Sequence, residues 1–308
     1  MKKFFAIAAI LVVSSASAEE LKFGDLNYFL KQGQFNVGAD VIVNNETSRS
    51  AGTTDNEVDN YFLNSHFAYA LNDSINLTVG LDFLIDGETE IDDGASADAS
   101  GVLNPKLGAN IRLMKQNTSG FNLDLGAVAT VKVIDREVAT VDKEGNNINP
   151  LYTNYADPRN TLELNARLGK KWNEANEFYL KAGLAYHMDG DYKQLQGETV
   201  DMDSSNDLSL GAFYQYRPVN EFMMTLGLTG TRFGEVDGQS GSDDFTFTDH
   251  IDYQFLFNAK YLIDESLIAK FVFTKDKRSD FDYEADSGDI EFDRRNGLQY
   301  GLGVDYLF

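Results

Sequence analysis

An alternation of period two recurs about twelve times along the chain, and it restricts the fold more than any other feature. In "INLTVGLDFLID", residues 75–86, the side chains of Ile75, Leu77, Val79, Leu81, Phe83 and Ile85 fall on one face of an extended strand. Asn76, Thr78, Gly80, Asp82 and Asp86 take the other face, with only Leu84 apolar among them. Such a period marks a strand whose two faces meet different surroundings. Apolar rows on odd numbers cover 35–43, 61–71, 75–85, 107–113 and 121–133; rows on even numbers cover 162–168, 178–188, 208–216 and 222–228. Rows 251–261 and 267–273 are odd again, and the last, ending at Phe308, is even. Segments of ~9–13 residues suit tilted strands that cross a bilayer and exceed the five or six residues usual in soluble sheets.

The first eighteen residues, "MKKFFAIAAILVVSSASA", place two lysines before a short apolar run and end in Ala16-Ser17-Ala18. That is the pattern of a secretory signal peptide over 1–18, with the mature chain starting near Glu19. The run is too short for a spanning helix, which needs ~20 apolar residues, and the same shortness argues against a buried N-terminal helix. Cysteine is absent, so neither disulfides nor thiol chemistry are available to an exported domain.

The connections alternate in length. "NDS", "PVN", "LIDE", "KQNTSG" and "WNEANE" are short, and the others run from about twelve to twenty-six residues. Tight turns on one side and long loops on the other are the layout of an outer-membrane barrel, whereas a Greek-key sandwich has no reason to keep this order. Charge divides the same way: segments 46–59, 86–102, 135–160, 189–207, 234–249 and 276–295 hold 34 of the 49 acids but 9 of the 26 bases. The acids either keep the loops hydrated or form a negative vestibule that gathers cations. Runs such as "EIDD" and "DSGDIEFD" lack the spacing of a calcium loop, so no metal site is expected, nor any cofactor.

The expected fold is therefore all-β, a transmembrane antiparallel up-and-down barrel of about twelve strands over 35–308, with short periplasmic turns and long acidic extracellular loops. Its polar row would face the lumen. That row carries the bases Lys106, Arg112, Lys132, Arg167, Lys171, Lys181, Arg217, Lys260 and Lys270 and the acids Asp40, Asp82, Asp124, Glu163, Asp252 and Asp305. It also holds a glycine on most strands, where the inside of a closed sheet is crowded. The apolar row then meets lipid, where only a closed sheet pairs every backbone group. The lumen charges either pair across strands as a salt-bridged filling or line opposite walls of a narrow pore, since ~8 strands are filled by side chains and 16–18 leave a wide channel. Arg112, Arg167, Lys132 and Lys181 are expected near mid-strand, at the constriction. In the leader 19–34, Asp25 is placed to cap a short helix stopping at Gly33, either as a partial plug or, the favoured reading, resting at the periplasmic rim.

The ending "GLGVDYLF" resembles the C-terminal assembly signal of Gram-negative outer-membrane barrels, with Gly303, Tyr306 and Phe308 matching its glycine and aromatic positions. Length and strand number are similar to small monomeric porins of about twelve strands. The resemblance implies insertion by the barrel assembly machinery into the bacterial outer membrane, with lipid and lipopolysaccharide around the wall and small solutes within; no nucleic acid is expected as a partner. A porin-like channel, not an enzyme, is the expected function. The alternatives are a non-conducting adhesin or receptor barrel acting through its acidic loops and, behind it, an omptin-like hydrolase. The barrel phospholipase motif is absent, and His187 with Asp189 and His250 with Asp252 stand in reversed order for an omptin-like Asp-His couple. His66, His187 and His250 are expected to be lumen histidines bonded to nearby carboxylates.

Overall fold

The computed structural model describes residues 30–50, 54–91, 96–116, 120–133, 139–141, 159–173, 175–193, 199–286 and 288–308. The signal segment 1–18 and leader residues 19–29 lie outside them. Twelve strands form a closed antiparallel wall. In order they are Phe35–Ser50, Thr54–Asn72, Ile75–Ile91, Lys106–Met114, Asn122–Thr130, Thr161–Asn173, Asn176–His187, Ser205–Val219, Phe222–Phe233, His250–Leu262, Leu267–Arg278 and Ile290–Leu307, referred to here as strands one to twelve. Each pairs with its sequence neighbours, and strand one closes on strand twelve from Asn36 opposite Leu307 to Ser50 opposite Phe292. At the seam, Phe35 and Phe308 exchange backbone hydrogen bonds of 3.3 and 3.0 Å. Among the described residues closure leaves the twelve-strand wall no unpaired edge, the condition for a sheet to sit in hydrocarbon.

The two rows occupy the expected sides. Leu210 and Leu302 are 71% and 68% exposed, while inward Arg112 and Asp305 are 8% and 4% exposed. A soluble domain buries the opposite set, so this inversion is what identifies lipid as the outer solvent. Aromatic residues flank the greasy band. Trp172 stacks on Phe178 at the short-turn end, and Tyr61, Tyr186, Tyr253 and Tyr300 stand exposed further along, in the manner of interfacial girdles.

Two departures from the sequence expectation have local causes. The fifth strand stops at Thr130, although its row continues to Val133. Beyond it, Val131 N–H bonds the carbonyl of Pro105, and the N–H groups of Lys132 and Val133 bond the side-chain amides of Asn160 and Asn104. Amide side chains thus replace the ladder. On the long-loop side the wall continues outward through seven short strands: Ser96–Val102, Ala139–Val141, Gly190–Lys193, Thr199–Met202, Val236–Ser240, Asp243–Phe247 and Phe281–Ala285.

Candidate functional site

From the short-turn end, the lumen opens on an apolar layer. Leu30, from the chain just before strand one, is buried in a cluster with inward Ala70, Met223, Ile268 and Leu307, packed on Ala68 and Leu262. Leader residues 31–34 make turns beside it, with Gly33 N–H bonding the Ala70 carbonyl. Leu30 thus packs into the barrel mouth, while residues 31–33 stay exposed at its rim, where Gln32 N–H bonds Asp73 Oδ1 of the short turn.

Above that layer lies an ionic one, split between two walls. On strands one, two, eleven and twelve, Lys270 Nζ lies 2.8 Å from Asp40 Oδ1 and 2.7 Å from Asp305 Oδ1, and His66 Nε2 lies 3.1 Å from the same Asp305 oxygen. Glycines make room: a Cβ on Gly303 would lie 1.7 Å from Asp40 Oδ1, and one on Gly38 would overlap both His66 and Asp305. On strands four and five, Arg112 holds Asp124 with two hydrogen bonds, Nε to Oδ1 at 2.8 Å and Nη2 to Oδ2 at 3.2 Å. Lys106 Nζ reaches Asp82 at 2.8 Å.

Arg167 is held differently. A Cβ on Gly227 would lie 2.3 Å from the Phe213 ring and one on Gly211 would lie 2.7 Å from it, so the ring lies recessed over two glycines. Tyr179 stacks on Phe213, centroids 4.5 Å apart and planes within 5°. The Arg167 guanidinium caps Tyr179 at 3.9 Å. Arg167 is 7% exposed, yet among the described residues no hydrogen bond or carboxylate contact reaches it; Asp124 and Glu177 act on it only through their fields, as does Arg112. A desolvated cation–π contact is worth about 2 kcal/mol, less than the several kcal/mol that an unpaired interior charge costs. The column positions the charge without neutralising it. Lys181 is directly opposite Arg167 on strand seven. Lys260, on strand ten, feels the charge of Arg167 from another part of the wall, besides those of Asp305, Lys270 and Asp40.

Beyond the bilayer the inner face turns aromatic. His250 is stacked between Phe233 and Phe281, at 4.9 Å from each, and Phe281 stacks on Phe292 at 4.8 Å. Arg278 lies 5.2 Å from the Phe233 centroid while bonding Asp252 with Nε and Nη2 at 2.8 and 3.1 Å. Phe245, Phe247 and Tyr283 form a second cluster, and Val200 is fully buried. Burial, then the neighbouring Tyr283, pushes the Tyr192 phenol above its ordinary value. Asp191, Asp201, Asp237, Asp244 and Glu284 alternate with these residues and stand exposed. On these segments the described acids thus take the outer face and the aromatic residues the inner one.

The sequence candidates divide accordingly. Asp40, Asp82, Asp124, Asp252, Lys106, Arg112 and Lys270 are engaged in ion pairs. Lys132 lies past the end of its strand, its ammonium on the Asp191 carbonyl and carboxylate, and not at mid-strand. Arg112 is close to the short-turn end of strand four. Glu163 and Lys181 face the lumen exposed. His187 bonds Asp207 at 2.8 Å and Thr161 at 3.0 Å in place of Asp189. His250 bonds the Thr248 carbonyl at 3.3 Å, its expected carboxylate being taken by Arg278. Tyr306 meets Phe308 edge-on at 4.5 Å beside the seam. Phe213 and Tyr179 escaped the sequence reading; Phe213, an aromatic on a polar row beside Gly211, was the available signal.

The sequence matches no family model and no curated protein. Among solved structures the chain is similar to the COG4313 outer membrane channel from Pseudomonas putida F1, with a TM-score of 0.55 and 16% identity over 96% of this chain and 100% of that one. Looser likenesses are to the translocator domain of autotransporter NalP from Neisseria meningitidis, TM-score 0.49 and 11% identity over 91% and 90% of the two chains, and to the KdgM porin, TM-score 0.40 and 7% identity over 87% and 98%. What is shared at such identities is architecture. A closed wall of twelve antiparallel strands, greasy outside and charged within, has the fold of the bacterial outer-membrane β-barrels.

Proposed function

We propose that the chain is a passive outer-membrane channel for ions and small polar solutes. The observation that carries this reading is that Lys181 and Glu163, on the inward row of the wall, are nevertheless exposed: water reaches between the walls. Twelve strands lie between the filled and the wide-open barrel, and the apolar layer around Leu30 and the ionic layer above it narrow the path. The aromatic ending with Tyr306 and Phe308 supports delivery by the barrel assembly machinery, and the exposed acids of the outer segments support lipopolysaccharide as the neighbour of the outer wall. Purified protein in a planar bilayer is expected to produce stepwise conductance. Silence at high load, from a barrel whose gel mobility still shifts on heating, would replace the channel with the surface role of a receptor or adhesin.

A second reading rests on one contact chain. Thr161 Oγ1, His187 and Asp207 are joined in the order of a hydroxyl, a base and its orienting carboxylate. Thr161 is only 8% exposed, which leaves a substrate little access to the hydroxyl. Peptide or lipid turnover that disappears on His187→Ala would favour a hydrolase; no turnover by the intact protein leaves the contacts a structural clamp at the outer rim.

A further inference from the structure

We infer that Arg167, Lys181 and Lys260 form a fixed anion station in the lumen, which selects anions over cations and holds small organic carboxylates in passage. The inference rests on the channel reading and names its solute class.

Asp124 is committed to Arg112, and Asp40 and Asp305 to Lys270, with His66 also on Asp305; Glu177, buried on the adjoining strand, acts on Arg167 through its field without touching it. The three cations have no such partner among the described residues. Arg167 and Lys181 are cross-strand neighbours, an arrangement of like charges that is unfavourable unless an anion lies between them. Lys260 faces the same lumen from strand ten, where the charges of Asp305, Lys270 and Asp40 act on it ahead of that of Arg167. Glu163 is the exposed acid on the same wall. It stands four residues outward from Arg167, about 13 Å along a strand that rises about 3.3 Å per residue, and beyond the ~8 Å Debye length of physiological salt. Its charge is screened from the station.

Geometry adds the chemical class. The Phe213–Tyr179 column occupies one face of the guanidinium and holds it rigid. The N–H groups along its edge are left to bond in the plane, and a planar fork of donors matches a carboxylate with two parallel hydrogen bonds. The Lys181 side chain, cross-strand to Arg167, supplies charge without directional demand. A carboxylate therefore fits better than chloride, and a polycarboxylate better than a monocarboxylate.

The test is the reversal potential of the channel under a potassium chloride gradient, which does not depend on how many barrels insert. The intact protein is expected to reverse toward the chloride potential, and millimolar citrate is expected to reduce the chloride current. Arg167→Gln, Lys181→Gln and Lys260→Gln should each lower the anion-to-cation permeability ratio by up to about 25-fold, since a unit charge acts about fivefold on an ion about 4 Å away through water, and in opposite directions on anion and cation. Arg167→Gln should abolish the citrate effect. Arg232→Gln, whose side chain pairs with Asp249 in an exposed position, should move neither. Lys181→Gln alters an exposed lumen position, so it reports even if the Arg167 variant fails to assemble. A reversal toward potassium, or one that none of the three substitutions moves, overturns the anion station while the channel stands. A folded, heat-modifiable wild-type barrel that never conducts overturns the channel reading itself.

Discussion

Replacing Leu302 by arginine tests the assignment of sides, on which the structure turns. Leu302 is 68% exposed and is paired with Val41 and Phe271, also on the outer face. It lies six residues before the terminal Phe308. At about 3.3 Å per residue and a tilt of about 40°, that is roughly 15 Å along the barrel axis, the middle of a ~30 Å hydrocarbon layer. An arginine at that depth costs about 2–4 kcal/mol, so a middle value of about 3 kcal/mol lowers the folding constant by roughly two orders of magnitude. Gln299→Arg is the matched control, on the inward row of the same strand opposite Asn44 and Thr274, where lumen water meets the charge; its cost should stay below about 1 kcal/mol. The assay is urea unfolding in phospholipid vesicles, read as loss of the heat-modifiable gel band. Equal losses at both positions would mean that both faces are packed against protein, as in a sandwich. A larger loss at Gln299 would reverse the sides. Either result refutes the reasoning.

Gly227→Val should press a side chain into the Phe213 ring, where a Cβ alone would lie 2.3 and 2.5 Å from two ring carbons, and cost about 1–3 kcal/mol by overpacking; the loss should largely vanish when Phe213→Ala is added, a coupling that a double-mutant cycle in urea measures. Asp305→Asn keeps an acceptor oxygen for Lys270 and His66 but removes the negative charge between them, and in so buried a site should lower stability by about 3 kcal/mol, visible as a lower urea midpoint. Tyr192 gives a pH dependence. Its phenol is raised above the ordinary 10.0 by burial, so the folded state keeps a proton that the unfolded state loses. That contribution is whole below pH 10.0 and falls as pH rises above it. Thermal melts between pH 9 and pH 11 should therefore drop more steeply for the intact protein than for Tyr192→Phe.

The architecture was legible because two strong periodicities agree: the strand alternation on the wall and the alternation of short and long connections. The chemistry of the lumen was legible only as a list of inward charges. Which of them are neutralised depends on pairings such as Lys270 with Asp40, 230 residues apart in the chain, and only closure of the sheet brings strand eleven beside the seam. Lys132 was misplaced because side-chain composition continues its row while Asn104 and Asn160 end the ladder. The outer segments read as loops because they are long and carry 34 acids against 9 bases. Yet Phe281, Asp282, Tyr283 and Glu284 alternate as cleanly as any wall strand, the acids replacing the lipid-facing leucines once the wall has left the bilayer. Phe213 carries the same lesson inward. An aromatic on a polar row is a packing problem unless neighbouring strands offer space, and Gly211 and Gly227 offer it. A glycine excess on inward rows therefore implies recessed rings or charges, and the column under Arg167 is the case in which that recess determines where a free cation stands.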